Sequence, residues 1–312
     1  MCPAATYFTF LLLLLTSTTA TAQRVERREV LSIGGIRQWV QTKGDTTKPL
    51  LLFLHGGPGN SVMAYAERFS RQLEHDFLVV HWDQRESGET KKMNASDHSL
   101  TVALFEEDAI TLIGLLLNRY GQSKIFLAGH SWGGFLALAL ANKRPDLLHS
   151  CIAISPMIHQ NESEKLALAQ MMTEAKEKNN AKALADLQKI KIPFETADDL
   201  YLHRKWLALL AKRKAPEYDF VKAWADTWLP VFQQAARVNL FEDAPRLQCP
   251  AFFIVGDRDY QCNFQLTKKY ADNLVAPDKE LFLIAGAGHA IPSAEPDQLQ
   301  FILLQIKKRI SN

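Results

Sequence analysis

The sequence predicts an α/β protein in which a mostly parallel sheet carries helices on both faces and a helical insertion interrupts the pattern. Continuous apolar runs such as Leu50–Leu54 and Ala251–Val255 are typical of buried parallel strands, and segments with helical spacing separate them. The alternation stops at Pro156, and residues from about 157 to 245 contain helical patterns but no strong strand pattern. Strands that alternate with helices favour a parallel sheet, and the interruption predicts the insertion.

The first half of the chain supplies most of the predicted elements. Two antiparallel strands joined at Gly34-Gly35 come first, and strands and helices then alternate. In order, the predicted elements are strands Arg28–Ser32, Ile36–Gln41 and Leu50–Leu54, helix Met63–Leu73, strand Phe77–Trp82, helix Leu100–Arg119, strand 125–128, helix 132–143 and strand 151–155.

The α/β pattern resumes after the insertion with strand Ala251–Val255, helix Phe264–Leu274, strand Leu281–Ile284 and a final helix from Asp297. The simplest organisation is one α/β core in two parts, with the insertion forming a lid. The predicted boundaries are a leader at 1–22, the first part of the core at 23–156, the helical lid at 157–245 and the second part of the core at 246–312.

The N-terminal residues have the features of a secretory signal peptide. Phe8–Leu15 is an apolar run too short to span a bilayer, and Ala20-Thr21-Ala22 fits the A-x-A cleavage pattern before Gln23. The residues before the apolar run include no Lys or Arg, so an uncleaved membrane anchor is the alternative. We expect a periplasmic or secreted protein with no membrane attachment after cleavage of the signal peptide.

The composition is that of a globular protein with a sizeable core: 312 residues, 47% hydrophobic and 22% charged, with a formal net charge of +2. So small a charge indicates no nucleic-acid partner. Cys151, Cys249 and Cys262 remain after the leader, and because an odd number argues against a disulfide framework, we expect free thiols. The sequence has no H-E-x-x-H motif or paired-cysteine spacing, so we expect neither a metal nor a cofactor.

One serine stands in a pattern typical of a nucleophile. Gly129-His130-Ser131-Trp132-Gly133 fits G-x-S-x-G and lies between a strand pattern and a helix pattern. In such a turn the serine adopts strained backbone angles that expose its hydroxyl at the sheet edge, and a Cβ at either glycine would strike the adjoining strand or helix. A Gly-rich turn with a serine N-cap is the alternative interpretation.

A serine nucleophile needs a base and an orienting acid, and both follow Ser131 in the order expected for this architecture. Asp257 and Asp259 come after one predicted strand, and His289 comes after the next. Asp257 lies directly at the strand end, where holding the turn is its simpler role. His130, beside the serine, is expected to pack or to form a hydrogen bond within the turn.

Five motifs occur in a definite order along the chain. They are His55-Gly56-Gly57-Pro58-Gly59, Trp82-Asp83-Gln84-Arg85, Gly129-His130-Ser131-Trp132-Gly133-Gly134, Gly256-x-x-Asp259 and Gly288-His289. With these motifs the chain resembles the proline iminopeptidase-like group of α/β-hydrolases, a branch of serine peptidases. The resemblance runs from about residue 28 to the C-terminus, although the insertion matches only in being helical. HGGPG together with WDQR is much more specific than G-x-S-x-G alone.

The resemblance implies an α/β-hydrolase fold with a helical lid, and it implies a role for each matching residue. The catalytic roles fall to Ser131 as nucleophile, His289 as base and Asp259, the fourth position of G-x-x-D, as orienting acid. The backbone N–H groups of Gly57 and Trp132 would form the oxyanion hole, where glycine lets the backbone approach an oxyanion.

Two positions depart from the family pattern. Glu86 stands where Gly usually follows WDQR, and Trp228-Leu229 is the nearest equivalent of a Trp-Glu pair in the insertion.

The resemblance implies an aminopeptidase of the proline iminopeptidase type, which releases an N-terminal residue from short peptides through an acyl-enzyme. The alternatives are an esterase, lactonase or amidase with the same catalytic residues, and a non-catalytic binding protein that retains the fold. Asp83 and Arg85 are expected to form an ion pair that fixes nearby loops.

Substrate specificity is expected to come from the lid. An aminopeptidase has to neutralise the α-ammonium of its substrate, and a lid carboxylate is the expected counter-ion. The aromatic residues of the lid either line an apolar substrate pocket or belong to the core. The expected partner is a small molecule or a short peptide, and the sequence specifies no oligomeric state. The candidate carboxylates are Glu162, Glu164, Glu195, Asp198, Asp199, Asp226 and Glu242.

Overall fold

The computed structural model describes residues 23–94 and 99–311 of the chain. The predicted leader, residues 1–22, lies outside the described residues, and so does the prediction of its cleavage. Within the two described ranges, no helix combines the length and the apolar character needed to cross a membrane.

Eight strands form one sheet within the described residues, in the order β1-β2-β4-β3-β5-β6-β7-β8. Strand β2 runs antiparallel to both of its neighbours, β1 and β4, and every other adjacent pair is parallel. The predicted mostly parallel sheet is therefore confirmed. The strands are β1 Arg24–Ile33, β2 Ile36–Asp45, β3 Leu50–Leu54, β4 Leu78–Asp83, β5 Ile125–His130, β6 Leu148–Ile154, β7 Ala251–Gly256 and β8 Lys279–Ile284.

Helices cover both faces of this sheet, because side chains along each central strand alternate between two cores. Leu52 of β3 belongs to the core beneath the helices Val102–Tyr120 and Trp132–Lys143, whereas Leu51 belongs to the core beneath the helices Ala66–Ser70 and Pro296–Ser311. The helices are α1 Ala66–Ser70, α2 Gly88–Met93, α3 Val102–Tyr120, α4 Trp132–Lys143, α5 Gln160–Glu177, α6 Ala181–Leu187, α7 Ala197–Leu210, α8 Tyr218–Arg237, α9 Leu240–Asp243, α10 Phe264–Asn273, α11 Ile291–Ala294 and α12 Pro296–Ser311.

The predicted helix Met63–Leu73 is shorter in the structure and is split at Ser70. Helix α1 ends there, and a 3₁₀ helix follows at Arg71–His75. The hydroxyl of Ser70 donates to the carbonyl oxygen of Ala66 at 2.8 Å, a local bond that competes with a continuing helix. Helices α2 and α11 were not predicted, because each is too short to show a periodic apolar face.

Helices α5 to α9 all lie between β6 and β7 in the chain, within the predicted lid at 157–245. Helix α8 packs against the glycine-rich loop that follows β3: the indole N–H of Trp224 donates to the carbonyl oxygen of Pro58 at 2.9 Å. The ring of Trp228 lies against Gly59 of the same loop. The lid thus contacts the loop that follows β3 through two tryptophans.

The expected ion pair between Asp83 and Arg85 is wrong. The guanidinium of Arg85 binds both oxygens of Asp108 on α3, at 2.6 and 3.0 Å, and both side chains are fully buried. Asp83 instead accepts hydrogen bonds from the Ser61 hydroxyl and the Glu89 N–H. Sequence proximity suggested the wrong partner, because the packing of α3 against the sheet brings Asp108 to Arg85.

Candidate active site

Ser131 occupies the tight turn between β5 and α4. Its backbone angles are φ 57° and ψ −114°, a strained conformation for a residue that is not glycine. A Cβ at Gly129 would lie 2.0 Å from the carbonyl oxygen of Gly133, and a Cβ at Gly133 would lie 2.1 Å from that of Leu54. Both positions therefore have to be glycine, and the close packing holds Ser131 in its strained conformation.

Ser131, His289 and Asp259 form a continuous hydrogen-bonded row. The Oγ of Ser131 lies 3.0 Å from Nε2 of His289, and Nδ1 of His289 lies 2.9 Å from Oδ2 of Asp259. Asp259 is fully buried, and its other oxygen accepts the backbone N–H groups of Gln261 and Cys262. A nucleophile, a base and an orienting carboxylate thus have the spacing that proton transfer from the serine requires.

Asp257, the alternative orienting acid, has a different contact. Its Oδ1 accepts the backbone N–H of Gly286 at 2.7 Å, in the turn that leads towards His289. The structure therefore brings Asp259, and not Asp257, to the imidazole. Asp257 holds the turn between β8 and the histidine.

His130 lies behind His289 rather than in the row. Its Nε2–H donates to the backbone carbonyl of His289 at 2.8 Å, and the two rings are 5.0 Å apart. Burial, together with the nearby His289 ring, lowers the pKa of His130 to about 4. His130 is therefore neutral near pH 7, and it supports the loop that carries His289.

The two residues predicted to form the oxyanion hole flank Ser131. Gly57 lines the same cavity as Ser131 and has φ +121°, a conformation that favours glycine. Trp132 is the first residue of α4, where backbone N–H groups have no partner within the helix. Both backbone groups are thus available next to the serine.

Gln84, which the sequence reasoning did not single out, joins the segments that carry these two N–H groups. Its side-chain oxygen accepts the indole N–H of Trp132 at 3.1 Å, and its side-chain nitrogen donates to the carbonyl oxygen of His55 at 3.0 Å. Its own backbone N–H donates to Nε2 of His55. The WDQR motif therefore couples the HGGPG loop to the serine turn through Gln84.

Glu86 shows why its position is usually glycine in the family that the sequence resembles. Its φ is 53°, in the left-handed region that glycine adopts freely. The departure therefore retains the backbone conformation of the loop while changing the side chain.

A cavity of about 270 Å³ opens beside Ser131 and extends beneath the lid. Lid side chains form a mostly apolar wall, and three amide side chains add polar atoms. No Asp or Glu occurs among the described residues that line it, and Arg204 is its one permanently charged residue. The lining consists of Gly57, Asn60, Ser131, Met157, Gln160, Leu200, Arg204, Pro216, Phe220, Val221, Trp224, Phe232, Gln261 and Cys262.

The charge of Arg204 is compensated from behind by Glu164. The two side chains form a bidentate ion pair at 2.5 and 2.7 Å, and Glu164 also accepts from the amide of Gln160. Burial by itself would raise the pKa of Glu164, but Arg204, His203 and the hydrogen bonds outweigh it and hold that pKa below its usual value. Glu164 is therefore ionised, and its charge is already matched within the protein.

The other candidate lid carboxylates serve local structure. Asp199 caps helix α7 in a capping box with Thr196, and the remainder bind neighbouring side chains on the lid. Their partners are Lys165 for Glu162, Lys191 for Glu195, Tyr218 for Asp198, Lys222 for Asp226 and Asn239 for Glu242. None of the seven candidates lines the cavity at Ser131.

Cys262 is a buried thiol beside the nucleophile. Its Sγ lies 4.0 Å from Oγ of Ser131 and 3.3 Å from the side-chain oxygen of Gln160. Burial, with Asp259 and Glu164 nearby, raises the pKa of Cys262 well above its usual value, so the thiol is a poor nucleophile. Cys151 and Cys249 are also free and buried.

A family model described as "Serine aminopeptidase, S33" matches residues 45–297 of the chain. The probable aminopeptidase YbaC of Bacillus subtilis (strain 168) is 33% identical over 291 residues, covering 85% of this chain and 91% of that protein. The monoglyceride lipase of Rattus norvegicus is 23% identical over 278 residues, covering 88% of this chain and 86% of that protein.

Among solved structures, a proline iminopeptidase from Mycobacterium smegmatis superposes with a TM-score of 0.63 at 17% sequence identity. The match covers 91% of this chain and 98% of that one, and it supports the common fold. The predicted α/β-hydrolase fold is thereby confirmed. On the length of the family match and the likeness to YbaC, the chain belongs to the S33 serine aminopeptidase family of α/β-hydrolases, and the protein is a hydrolase.

Proposed function

We propose that the protein hydrolyses a carboxylic ester or amide of a short, uncharged, apolar acyl group through an acyl-enzyme on Ser131. The observation that carries the proposal is the row of Ser131, His289 and Asp259, in which both hydrogen-bond distances are 3.0 Å or less. Serine hydrolases use this arrangement to activate the hydroxyl and to hold the imidazole in the required tautomer.

In the proposed reaction the Oγ of Ser131 attacks the carbonyl carbon while Nε2 of His289 takes its proton. The resulting oxyanion would accept the N–H groups of Gly57 and Trp132, and such donors are worth roughly 3–4 kcal/mol each in the transition state. Collapse expels the leaving group, which receives the proton from His289. Water then attacks the acyl-enzyme by the same route, with His289 as base, and releases the acid and free Ser131.

The lining of the Ser131 cavity supports an uncharged acyl group. Lid side chains such as Phe220 and Trp224 offer apolar contact, and Arg204 is the permanent charge in the wall. An α-ammonium in this cavity would lie near the guanidinium of Arg204. The carboxylate of Glu164 is already bound to that guanidinium, so it is not free to act as a counter-ion for the ammonium. A buried cation without a counter-ion is costly, so the charge pattern favours neutral acyl groups.

An aminopeptidase of the proline iminopeptidase type is the second candidate. The family description and the name of YbaC support this candidate. The name of another relative, the monoglyceride lipase, supports an ester substrate instead. In an aminopeptidase, the ammonium would have to bind to the neutral oxygens of Asn60, Gln160 or Gln261, because these residues line the cavity.

Isosteric ester pairs distinguish the two candidates. Ethyl isobutyrate has a methyl group where alanine ethyl ester has an ammonium group. In the same way, ethyl cyclopentanecarboxylate has a ring methylene where proline ethyl ester has the ring ammonium. Each kcat/KM is divided by the rate constant for hydroxide hydrolysis, and Ser131→Ala gives the background. We expect the uncharged member of each pair to be favoured by about tenfold or more, which is about 1.4 kcal/mol. A preference of that size for the amino esters would establish the aminopeptidase instead.

A further inference from the structure

A second cavity, of about 540 Å³, lies beside His289 between the lid and the core. Helix α5 and the end of α7 form one wall, and the loops that follow β7 and β8 form the other. Gln261 lines both this cavity and the one at Ser131. The two cavities therefore adjoin at Gln261, and the hydrogen bond between Ser131 and His289 links a residue of one lining to a residue of the other.

Three cationic side chains line this second cavity: Lys212, Arg213 and Arg258. None of the three has a side-chain hydrogen bond or an ion pair with any residue in the described ranges. Most other Lys and Arg side chains near the lid are paired, as Arg204 is with Glu164 and Lys205 is with Asp186. Unpaired cations grouped at one cavity indicate an anionic ligand.

Two carboxylates share the lining, and they offset the three cations only in part. Glu174 is ion-paired with Lys178 at 2.9 Å, so its charge is matched on its own helix. Glu295 accepts a hydrogen bond from the side-chain amide of Gln298 at 3.3 Å and makes no ion pair with a described residue. The balance of unmatched charge around the cavity is therefore positive.

The proton transfers between Ser131, His289 and the substrate indicate which part of the substrate each cavity holds. His289 gives its proton to the leaving group, so the leaving group has to lie against the imidazole. The acyl group then occupies the cavity at Ser131 and Gly57, and the leaving group extends into the cavity lined by His289.

We infer that this second cavity binds a leaving group that carries a carboxylate or phosphate anion, with Lys212, Arg213 and Arg258 as its counter-ions. The inference rests on the proposed function and narrows its substrate class to esters or amides with an anionic alcohol or amine portion. A peptide with a free C-terminal carboxylate and an acylated phospho-alcohol share this chemistry.

Three esters with one acyl group test the inference. The isobutyryl esters of glycolamide, glycolate and 2-hydroxyethyl phosphate place a neutral amide, a carboxylate or a phosphate on the leaving group. After correction for hydroxide hydrolysis, we expect about tenfold higher kcat/KM for at least one anionic ester than for the neutral ester, mainly through a lower KM. The preference should fall with added salt, because exposed charges are screened. The larger of the two anionic preferences identifies the carboxylate or the phosphate as the natural group.

The matched variant is Lys212→Gln/Arg213→Gln/Arg258→Gln, with Arg258→Gln alone as a smaller perturbation. All three residues are exposed, so the fold should tolerate the changes. The preference for the anionic ester should fall towards one in the triple variant and partly in the single variant, whereas Lys268→Gln, a change on α10 outside the cavity, should retain it.

No anionic preference in the wild type, or a preference that survives the triple substitution, would overturn the inference. The outcomes separate it from the proposed function. Hydrolysis of the neutral ester without an anionic preference defeats only the inference. Failure to cleave any of the esters faster than the Ser131→Ala variant defeats the proposed function.

Discussion

Glu164 holds Arg204 by two hydrogen bonds, of 2.5 and 2.7 Å, at the edge of the cavity that contains Ser131. Of the described residues in the wall of that cavity, Arg204 is the one with a permanent charge, and Glu164 neutralises it. The residues lie on different lid helices, α5 and α7, so the pair also joins the two helices. Removal of either partner should therefore change the net charge beside the acyl group in this cavity.

Glu164→Gln should leave the guanidinium of Arg204 without its counter-ion. We expect the ratio of kcat/KM for a succinyl ester to that for a butyryl ester to rise about tenfold, because the free cation attracts the terminal carboxylate. Arg204→Met should instead leave Glu164 uncompensated and raise the relative rate for alanine ethyl ester over ethyl isobutyrate. Glu162→Gln, a change to a half-buried neighbour that lines no part of the cavity, is the control, and unchanged ratios in both variants would contradict the assignment of the cavity.

Asp259→Asn should lower kcat on the order of 10⁴-fold, because an amide no longer fixes the tautomer of His289. Asp257→Asn should cost far less, since Asp257 contacts the backbone of Gly286 and not the imidazole. Steady-state kinetics of both variants, with circular dichroism as a check on folding, compare the two acids. Loss of activity in Asp257→Asn with retention in Asp259→Asn would reverse the assignment.

Gln84→Met should lower kcat by roughly ten- to a hundredfold with little change in KM. The substitution removes the side-chain hydrogen bonds to Trp132 and His55, so the N–H groups of the proposed oxyanion hole lose their relative position, and the loss appears in the transition state. Gln84→Glu retains an acceptor for Trp132 and should show an intermediate effect. A rise in KM at constant kcat would show that Gln84 acts in substrate binding instead.

His81 should make the protein less stable in mild acid. Burial lowers the pKa of His81 to about 3, whereas an unfolded histidine titrates near pH 6.5. Between these values the unfolded chain binds more protons, so stability is lost as the pH falls through that window. His81→Phe keeps an aromatic ring against Phe53 and removes the titration.

Urea unfolding near pH 7 and near pH 4.5 measures this effect. Between pH 7 and pH 4.5, the free energy of unfolding of the wild type should fall by roughly 2–3 kcal/mol more than that of His81→Phe. This difference corresponds to the one additional proton that the unfolded wild-type chain takes up at His81. His75→Gln, a change to an exposed histidine, should keep the wild-type difference. An equal loss in His81→Phe would show that other groups cause the acid sensitivity.

The serine turn and the order of its partners could be predicted because they depend on local sterics and on strand ends. Gly129 is required by a contact with Gly133 in the same turn, and Gly133 by a contact with the end of the neighbouring strand β3, as any tight strand-to-helix turn at this sheet edge demands. The G-x-x-D spacing distinguished Asp259 from Asp257. Ser131, His289 and Asp259 therefore meet as the sequence placed them, and each lies just after a strand.

Long-range partners could not be predicted, because the packing of helices selects them. Arg85 lies two residues from Asp83 but binds Asp108 on α3. Glu164 and Arg204 are 40 residues apart on two lid helices whose relative placement no local pattern specifies. The expectation of a free lid carboxylate came from the chemistry of aminopeptidases, and it did not include the arginine that binds Glu164.

The central claim is that Ser131 forms the acyl-enzyme, and active-site labelling measures it directly. The purified protein is treated with a fluorophosphonate, which traps activated serines, and intact mass and peptide mapping locate the adduct. We predict a single adduct on Ser131, no adduct in Ser131→Ala and much slower labelling in His289→Ala, because the imidazole takes the serine proton. An adduct on another residue, or labelling and ester hydrolysis that persist in Ser131→Ala, would contradict the claim.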